Sequence, residues 1–220
     1  LGSLYTNYSP VQLEDNQYVD FDIKINDKIV NLLAPQIEIS EETEIEGSIN
    51  ADQGDFKLNF TTPFVNVSGN RIANIDLQVD NQNPLFNTYI SVDSIRLKGY
   101  DITDFNFINV TQNDTLFART EFLGGAEQED FYNLNLYYTI DEENRSIVGF
   151  DKSEVNFKQF MWYINEEEND QNKVVFNKEL NDFEIQNLTL SHEGQSVVFG
   201  GEMKGNNYKD FLLTFDQVDL

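Results

Sequence analysis

Apolar and polar residues alternate one by one along most of this chain. No stretch of a dozen residues keeps the i, i+3, i+4, i+7 apolar spacing of an amphipathic helix. Successive side chains on a strand point to opposite faces, so this rhythm builds strands with one apolar and one wet face. Residues 101–125 show it well. Phe105 and Phe107 share one face, with Asp104 and Asn106 on the other. Asn113-Asp114 is turn chemistry and Gly124-Gly125 closes the next strand, so the stretch reads as an antiparallel hairpin. Nothing in it is suited to catalysis. Its apolar face must be covered by something.

The same pattern predicts strands at 19–26, 37–39, 45–49, 56–61, 65–67, 73–80, 89–98 and 102–110, with Pro63 as an interruption and 81–84 as a loop. Residues 131–140 carry aromatics on both faces, the pattern of a central strand. A charged turn at 141–145 follows, then strands at 155–158, 161–165, 173–177, 183–191, 196–204 and 208–220. An acidic loop, Glu166-Glu167-Glu168-Asn169-Asp170-Gln171-Asn172, lies among them.

A motif of the form apolar–x–polar–apolar–x–apolar recurs. It stands at Ile72-Ala73-Asn74-Ile75-Asp76-Leu77, Val92-Asp93-Ser94-Ile95-Arg96-Leu97 and Ile102-Thr103-Asp104-Phe105-Asn106-Phe107. It returns at Ile185-Gln186-Asn187-Leu188-Thr189-Leu190 and Phe215-Asp216-Gln217-Val218-Asp219-Leu220. A gap of three before a gap of two adds one residue to the strand rhythm. A β-bulge or corner does this, bending the strand while keeping its apolar residues on one side. Strands curving around a shared apolar interior and the corners of an ordinary twisted sandwich both fit the motif.

Composition narrows the function. The 220 residues carry 39 Asp+Glu against 14 Lys+Arg, a formal charge of −25. Such a surface repels phosphate backbones and anionic headgroups, which argues against nucleic-acid partners and against membrane docking through a basic face. With 40% hydrophobic residues, including 18 Phe and 10 Tyr, the chain has the material for a sizeable apolar core and an ordered fold despite its charge. The absence of Cys excludes disulfides, thiolate zinc sites and Cys nucleophiles. The longest uninterrupted apolar run, Phe160-Met161-Trp162-Tyr163-Ile164, is far below the ~18 residues of a membrane-spanning helix.

No catalytic or metal constellation stands out. His192, the only histidine, precedes Glu193-Gly194 and reads as a solvated turn residue. The carboxylates fall mostly in the polar phase of strands or in loops, where neither a glycosidase pair nor a raised pKa is expected. The loop at 166–172 reads as solvated, with weak calcium binding as its functional alternative. Aromatic residues crowd the second half, including Phe157, Phe160, Trp162, Phe176, Phe183, Phe199, Phe211 and Phe215. They form either a sandwich core or an apolar groove that receives a ligand.

Several phrases resemble the TamB proteins, the translocation and assembly module family of AsmA-like envelope proteins. They run through 109–125 (with Thr115-Leu116-Phe117-Ala118-Arg119-Thr120-Glu121-Phe122-Leu123), 134–144 (opening Leu134-Asn135-Leu136-Tyr137-Tyr138) and 146–153. Trp162-Tyr163-Ile164-Asn165 and Asn172-Lys173-Val174-Val175-Phe176 continue the likeness, which extends from about Phe21 to Leu220. The resemblance implies a long Gram-negative envelope protein, anchored in the inner membrane and crossing the periplasm toward an outer-membrane barrel partner of the TamA/BamA type. It implies a β-taco, a half-pipe lined with apolar residues, that moves phospholipid to the outer membrane and supports assembly of outer-membrane proteins. It carries over no catalytic residue.

The expectation is therefore an all-β chain, an elongated curved antiparallel sheet of half-pipe or sandwich-like form with an apolar interior. Residues 1–18 are a lead-in, with Leu1-Gly2-Ser3 as a tag remnant, and 19–220 form one elongated β-repeat region of a larger protein. The groove candidates are Ile75, Leu77, Val79, Phe105, Phe107, Leu134, Leu136 and Tyr138. Phospholipid is the expected ligand, with no cofactor, no metal and no enzymatic activity. The rivals are a β-sandwich module on the cell surface, binding carbohydrate or protein, and a small jelly-roll hydrolase.

Overall fold

The structure, a computed structural model, describes residues 16–25, 27–205 and 207–218; most of the expected lead-in, at 1–15, lies outside them. Strand accounts for 67% and helix for 3%, with the strands in a large antiparallel sheet of 16. The chain divides into two compact units, one built from 16–110 and 120–129, the other from 111–119 and 130–218.

The first unit holds β1 (Tyr18–Lys24), the helix α1 (Asp27–Leu33), β2 (Ile37–Ile39), β3 (Glu44–Asn50), β4 (Asp55–Val67), β5 (Asn70–Asp80), β6 (Thr88–Leu97) and most of β7 (Tyr100–Gln112). The ladder order is β1-β3-β4-β5-β6-β7, with β2 pairing the far end of β4. Two-residue turns make several of the hairpins. Ser68 and Gly69 join β4 to β5 with φ of 52° and 85°, and Asn113 and Asp114 lead from β7 into β8 (Thr115–Gly124) with φ of 50° and 59°. Positive φ at both central residues is the type I′ geometry, whose twist matches that of the flanking strands.

The recurrent motif is a corner. Asn74 and Asp104, each the polar third residue of its copy, stand in the left-handed region at 51° and 52°. The ladders skip one position on this line. Pro63, Asn74, Asp93 and Asp104 are unpaired across four adjacent strands, and the register is the same on either side. The left-handed residue supplies the extra half-step, so Ile72 and Ile75 share a face although they are three apart. Pro63 has no N–H to donate and fits a position where no ladder bond is made. Thr62 beside it is buried, its Oγ1 2.7 Å from that of Thr43, which in turn donates to the Ser40 carbonyl.

The second unit holds β9 (Asp130–Ile140), β10 (Ser146–Phe150), β11 (Ser153–Phe157), β12 (Phe160–Ile164), β13 (Lys173–Phe176), β14 (Asp182–His192), β15 (Gln195–Lys204) and β16 (Tyr208–Asp216). Two short ladders connect β9 to β14. One runs through β10 and β13, the other through β11 and β12, and the sheet is split between them. Buried polar groups stitch the split. Ser153 Oγ accepts from the Asn135 amide and donates to the Asp151 carbonyl, each at 2.9 Å. Asn165 Nδ2 donates to the Phe150 carbonyl at 2.7 Å, Asn172 Nδ2 donates to Asn165 Oδ1, and Asn172 Oδ1 receives the Thr189 amide. A bulge follows in β14, where the register against β15 slips between Ile185 and Leu188 and Asn187 takes φ of 43°.

Among the described residues neither unit encloses more than a trace of apolar core. Among the described residues only Val92 and Val175 are fully buried hydrophobic side chains, each 6% exposed, and the most deeply buried side chains are Thr43 and Ser153. Four local readings of the sequence differ from the structure. Pro63 does not interrupt a strand, because β4 runs through it from Asp55 to Val67. Residues 27–33 form a helix of under two turns, too short to impose a helical period on the sequence. Residues 146–150 form a strand, β10, next to the charged turn. The terminal strand ends at Asp216, and 219–220 lie outside the described residues.

Candidate functional site

Cross-strand partners share a face of the sheet, so the ladders determine which side chains stand together. In the first unit Ile23, Ile45, Phe60, Leu77, Ile90 and Phe107 form one row across six strands. Phe21, Gly47, Leu58 and Val79 form the row on one side, and Thr62, Ile75, Val92 and Phe105 the row on the other. The candidates Ile75, Leu77, Val79, Phe105 and Phe107 therefore lie in three adjacent rows of one apolar face, all of them half-buried. Phe105 packs its ring 6.0 Å from that of Phe122. A Cβ on Gly47 would collide with the Phe21 ring and the Lys57 carbonyl, so the glycine makes room for the phenyl. The reverse face carries Asp20, Asp22, Glu44, Glu46, Asp76 and Gln78, whose phase is opposite.

The second unit repeats the arrangement. Leu136 stands opposite Phe150, and Tyr138 opposite Val148, whose row continues through Val174 to Ile185. Leu134 lies between Leu136 and Tyr132 on the same face, and Tyr132 leads through Val155 to Trp162. Across the bulge, Phe211 packs against Phe183 at 5.9 Å and Phe199 at 6.0 Å. On β16, Phe211, Leu213 and Phe215 alternate onto this face and remain 41%, 51% and 50% exposed. The sequence reading counted Phe211 and Phe215 among the aromatics of a core or groove, but left Leu213 and the first-unit rows Phe21–Leu58 and Ile23–Phe60 out, although the same alternation marks them.

His192 is packed rather than solvated. It ends β14 with a side chain 12% exposed, its Nδ1 lies 2.7 Å from the Met161 carbonyl, and its ring sits 5.1 Å from that of Trp162. The strand β12 passing alongside supplies both contacts, which the local sequence does not reveal.

The reverse face of the second unit holds a cleft of about 730 Å³ at the split in the sheet. It is lined by Thr115, Phe117, Asn135, Tyr137 and Thr139 of β8 and β9, by Phe150, Asp151 and Lys152, and by Asn165, Glu168, Asn169 and Asp170. The Tyr137 ring lies over Gly149, where a Cβ would collide with it. Burial raises the Tyr137 hydroxyl above its ordinary pKa, and the charges of Asp151 and Asp170 add to the shift. Burial likewise raises the Asp151 carboxyl, with Glu168 contributing. Among the described residues no group of three or more His, Cys, Asp or Glu converges as a metal ligand set, and no helix is long and apolar enough to cross a membrane. Comparison with family models, curated proteins and solved structures finds no match.

Proposed function

We propose that this chain is a section of an envelope lipid conduit of the TamB kind, shielding phospholipid acyl chains on the apolar faces of its sheet on their way to the outer membrane. The observation that carries the reading is the pairing of ordered apolar rows with the near absence of a closed core. The rows are mostly half-buried, and among the described residues only Val92 and Val175 are fully buried apolar side chains. An acyl chain laid along such rows gains about 0.8 kcal/mol per buried CH₂, without any specific headgroup contact. The charge of −25 keeps a protein with so much accessible apolar surface dispersed and out of the anionic headgroup layer. A sandwich module would cover these rows with a second sheet, so the scarcity of buried apolar side chains favours the conduit. On this reading the longer protein lies in the periplasm, anchored in the inner membrane, and meets a barrel partner at the outer membrane.

The single tryptophan offers a direct test. Trp162 shares the face of Leu136 through Tyr132 and Val155. Phosphatidylcholine brominated on its acyl chains is expected to quench Trp162 fluorescence, and Leu136→Glu to weaken the effect about tenfold, equivalent to losing contact with roughly two methylenes. The circular dichroism of the variant should match the parent. Unfolding of Leu136→Glu would instead make Leu136 part of a core and count against the conduit.

A further inference from the structure

The geometry points to a saccharide-binding site in the reverse-face cleft of the second unit, with Phe117 and Tyr137 as the stacking floor and Asp151, Glu168 and Asp170 as acceptors for sugar hydroxyls. This site lies on the side of the sheet opposite Leu134, Leu136 and Tyr138, and does not depend on the lipid reading.

Four observations meet here. The first is placement. Phe117 and Tyr137 occupy the polar phase of their strands, where a solvated sheet face has no use for rings, and Phe117 is 44% exposed. A ring with one face open to water, on a concave polar surface, offers an apolar plane to the C–H face of a pyranose. The second is size, since about 730 Å³ suits a short oligosaccharide.

The third is preorganisation. The wall at 165–170 is held by buried Asn165 and Asn172 through bonds of 2.7–2.9 Å to Phe150, to each other and to Thr189. Seating the Tyr137 ring over Gly149 fixes the floor as well. A ligand therefore does not have to bear the cost of ordering the site.

The fourth is the identity of the free groups. The amides are already engaged: Asn135 Nδ2 donates to the Lys152 carbonyl, Asn165 Nδ2 to the Phe150 carbonyl, and Asn169 Oδ1 receives the Gln171 amide. The carboxylates of Asp151, Glu168 and Asp170 receive no hydrogen bond from the described residues. Carboxylates accept hydrogen bonds, and a saccharide presents a fan of hydroxyl donors. These acids come from separate segments, Asp151 from one and Glu168 and Asp170 from another, and no metal ligand set forms among the described residues. That spread suits a ligand with many separated donors better than a single cation. The raised pKa of Asp151 adds support, because an acid held above its ordinary range by burial and a like charge is eased by hydroxyl donors.

The experiment is saturation-transfer difference NMR and calorimetry on the whole chain with maltotriose, cellotriose and chitotriose, using spermidine as a cationic control. At least one trisaccharide is expected to bind, with saturation strongest on its ring C–H protons. Phe117→Ala, at an exposed ring, is expected to weaken that binding at least tenfold with an unchanged thermal transition, and Glu168→Gln to weaken it severalfold. Three results would overturn the proposal: no trisaccharide binding, binding that is indifferent to both substitutions, or binding of spermidine alone.

Discussion

Asp151 shows how one side chain can be held at a cost. Asp151 is exposed as a residue, yet partial desolvation of its carboxyl pushes its pKa up and Glu168 adds to the shift, with no compensating hydrogen bond from the described residues. A carboxyl whose pKa is higher in the fold than in the unfolded chain disfavours the fold once it ionises. The penalty is absent below the ordinary carboxylate range, grows as the pH rises through the folded value, and is constant above it. Asp151→Asn is therefore expected to raise the melting temperature at pH 7, with the gain disappearing near pH 3. A melting series across pH checks this; a gain of equal size at both ends would mean that ionisation is not its source. Little of this residue's setting was legible in the sequence. Asp151 reads as one more loop acid, because the groups that shape it come from 135–153 and 165–172 and meet only in the fold, through backbone bonds and the Ser153, Asn165 and Asn172 side chains. His192 was hidden for the same reason, since its partners sit some thirty residues away on β12.

Strands and corners were far more legible. A period of two needs only neighbouring residues to express itself, and turn residues such as Asn113-Asp114 punctuate it, so most strands were readable along with the corner motif. α1 and β10 are too short for a period to develop. The corner motif carries a prediction at this scale. A β-branched residue in the left-handed region loses about 1–2 kcal/mol, whereas glycine fits there freely. Asn74→Val is expected to destabilise the first unit by about that amount, and Asn74→Gly by much less, as measured by urea unfolding. Equal effects of the two would mean that the Asn74 side chain, which donates to Asp93 Oδ2 at 2.6 Å, matters more than the backbone bend.

At the scale of the molecule, each unit carries rows of half-exposed apolar side chains on one face of its sheet and polar side chains on the other. Alternation revealed which residues are apolar together, and the ladders align Ile75, Leu77 and Val79 with Phe105 and Phe107. What covers those rows is outside the reach of periodicity, because a filled sandwich and an open trough are built from the same alternating strands. The most direct measurement is native mass spectrometry, with extraction of bound lipid, on the chain purified from a Gram-negative host. The conduit predicts co-purifying phospholipid, largely lost in Leu77→Glu on the apolar face and retained in Gln78→Glu on the reverse face. A lipid-free parent chain, or equal retention in both variants, would contradict it.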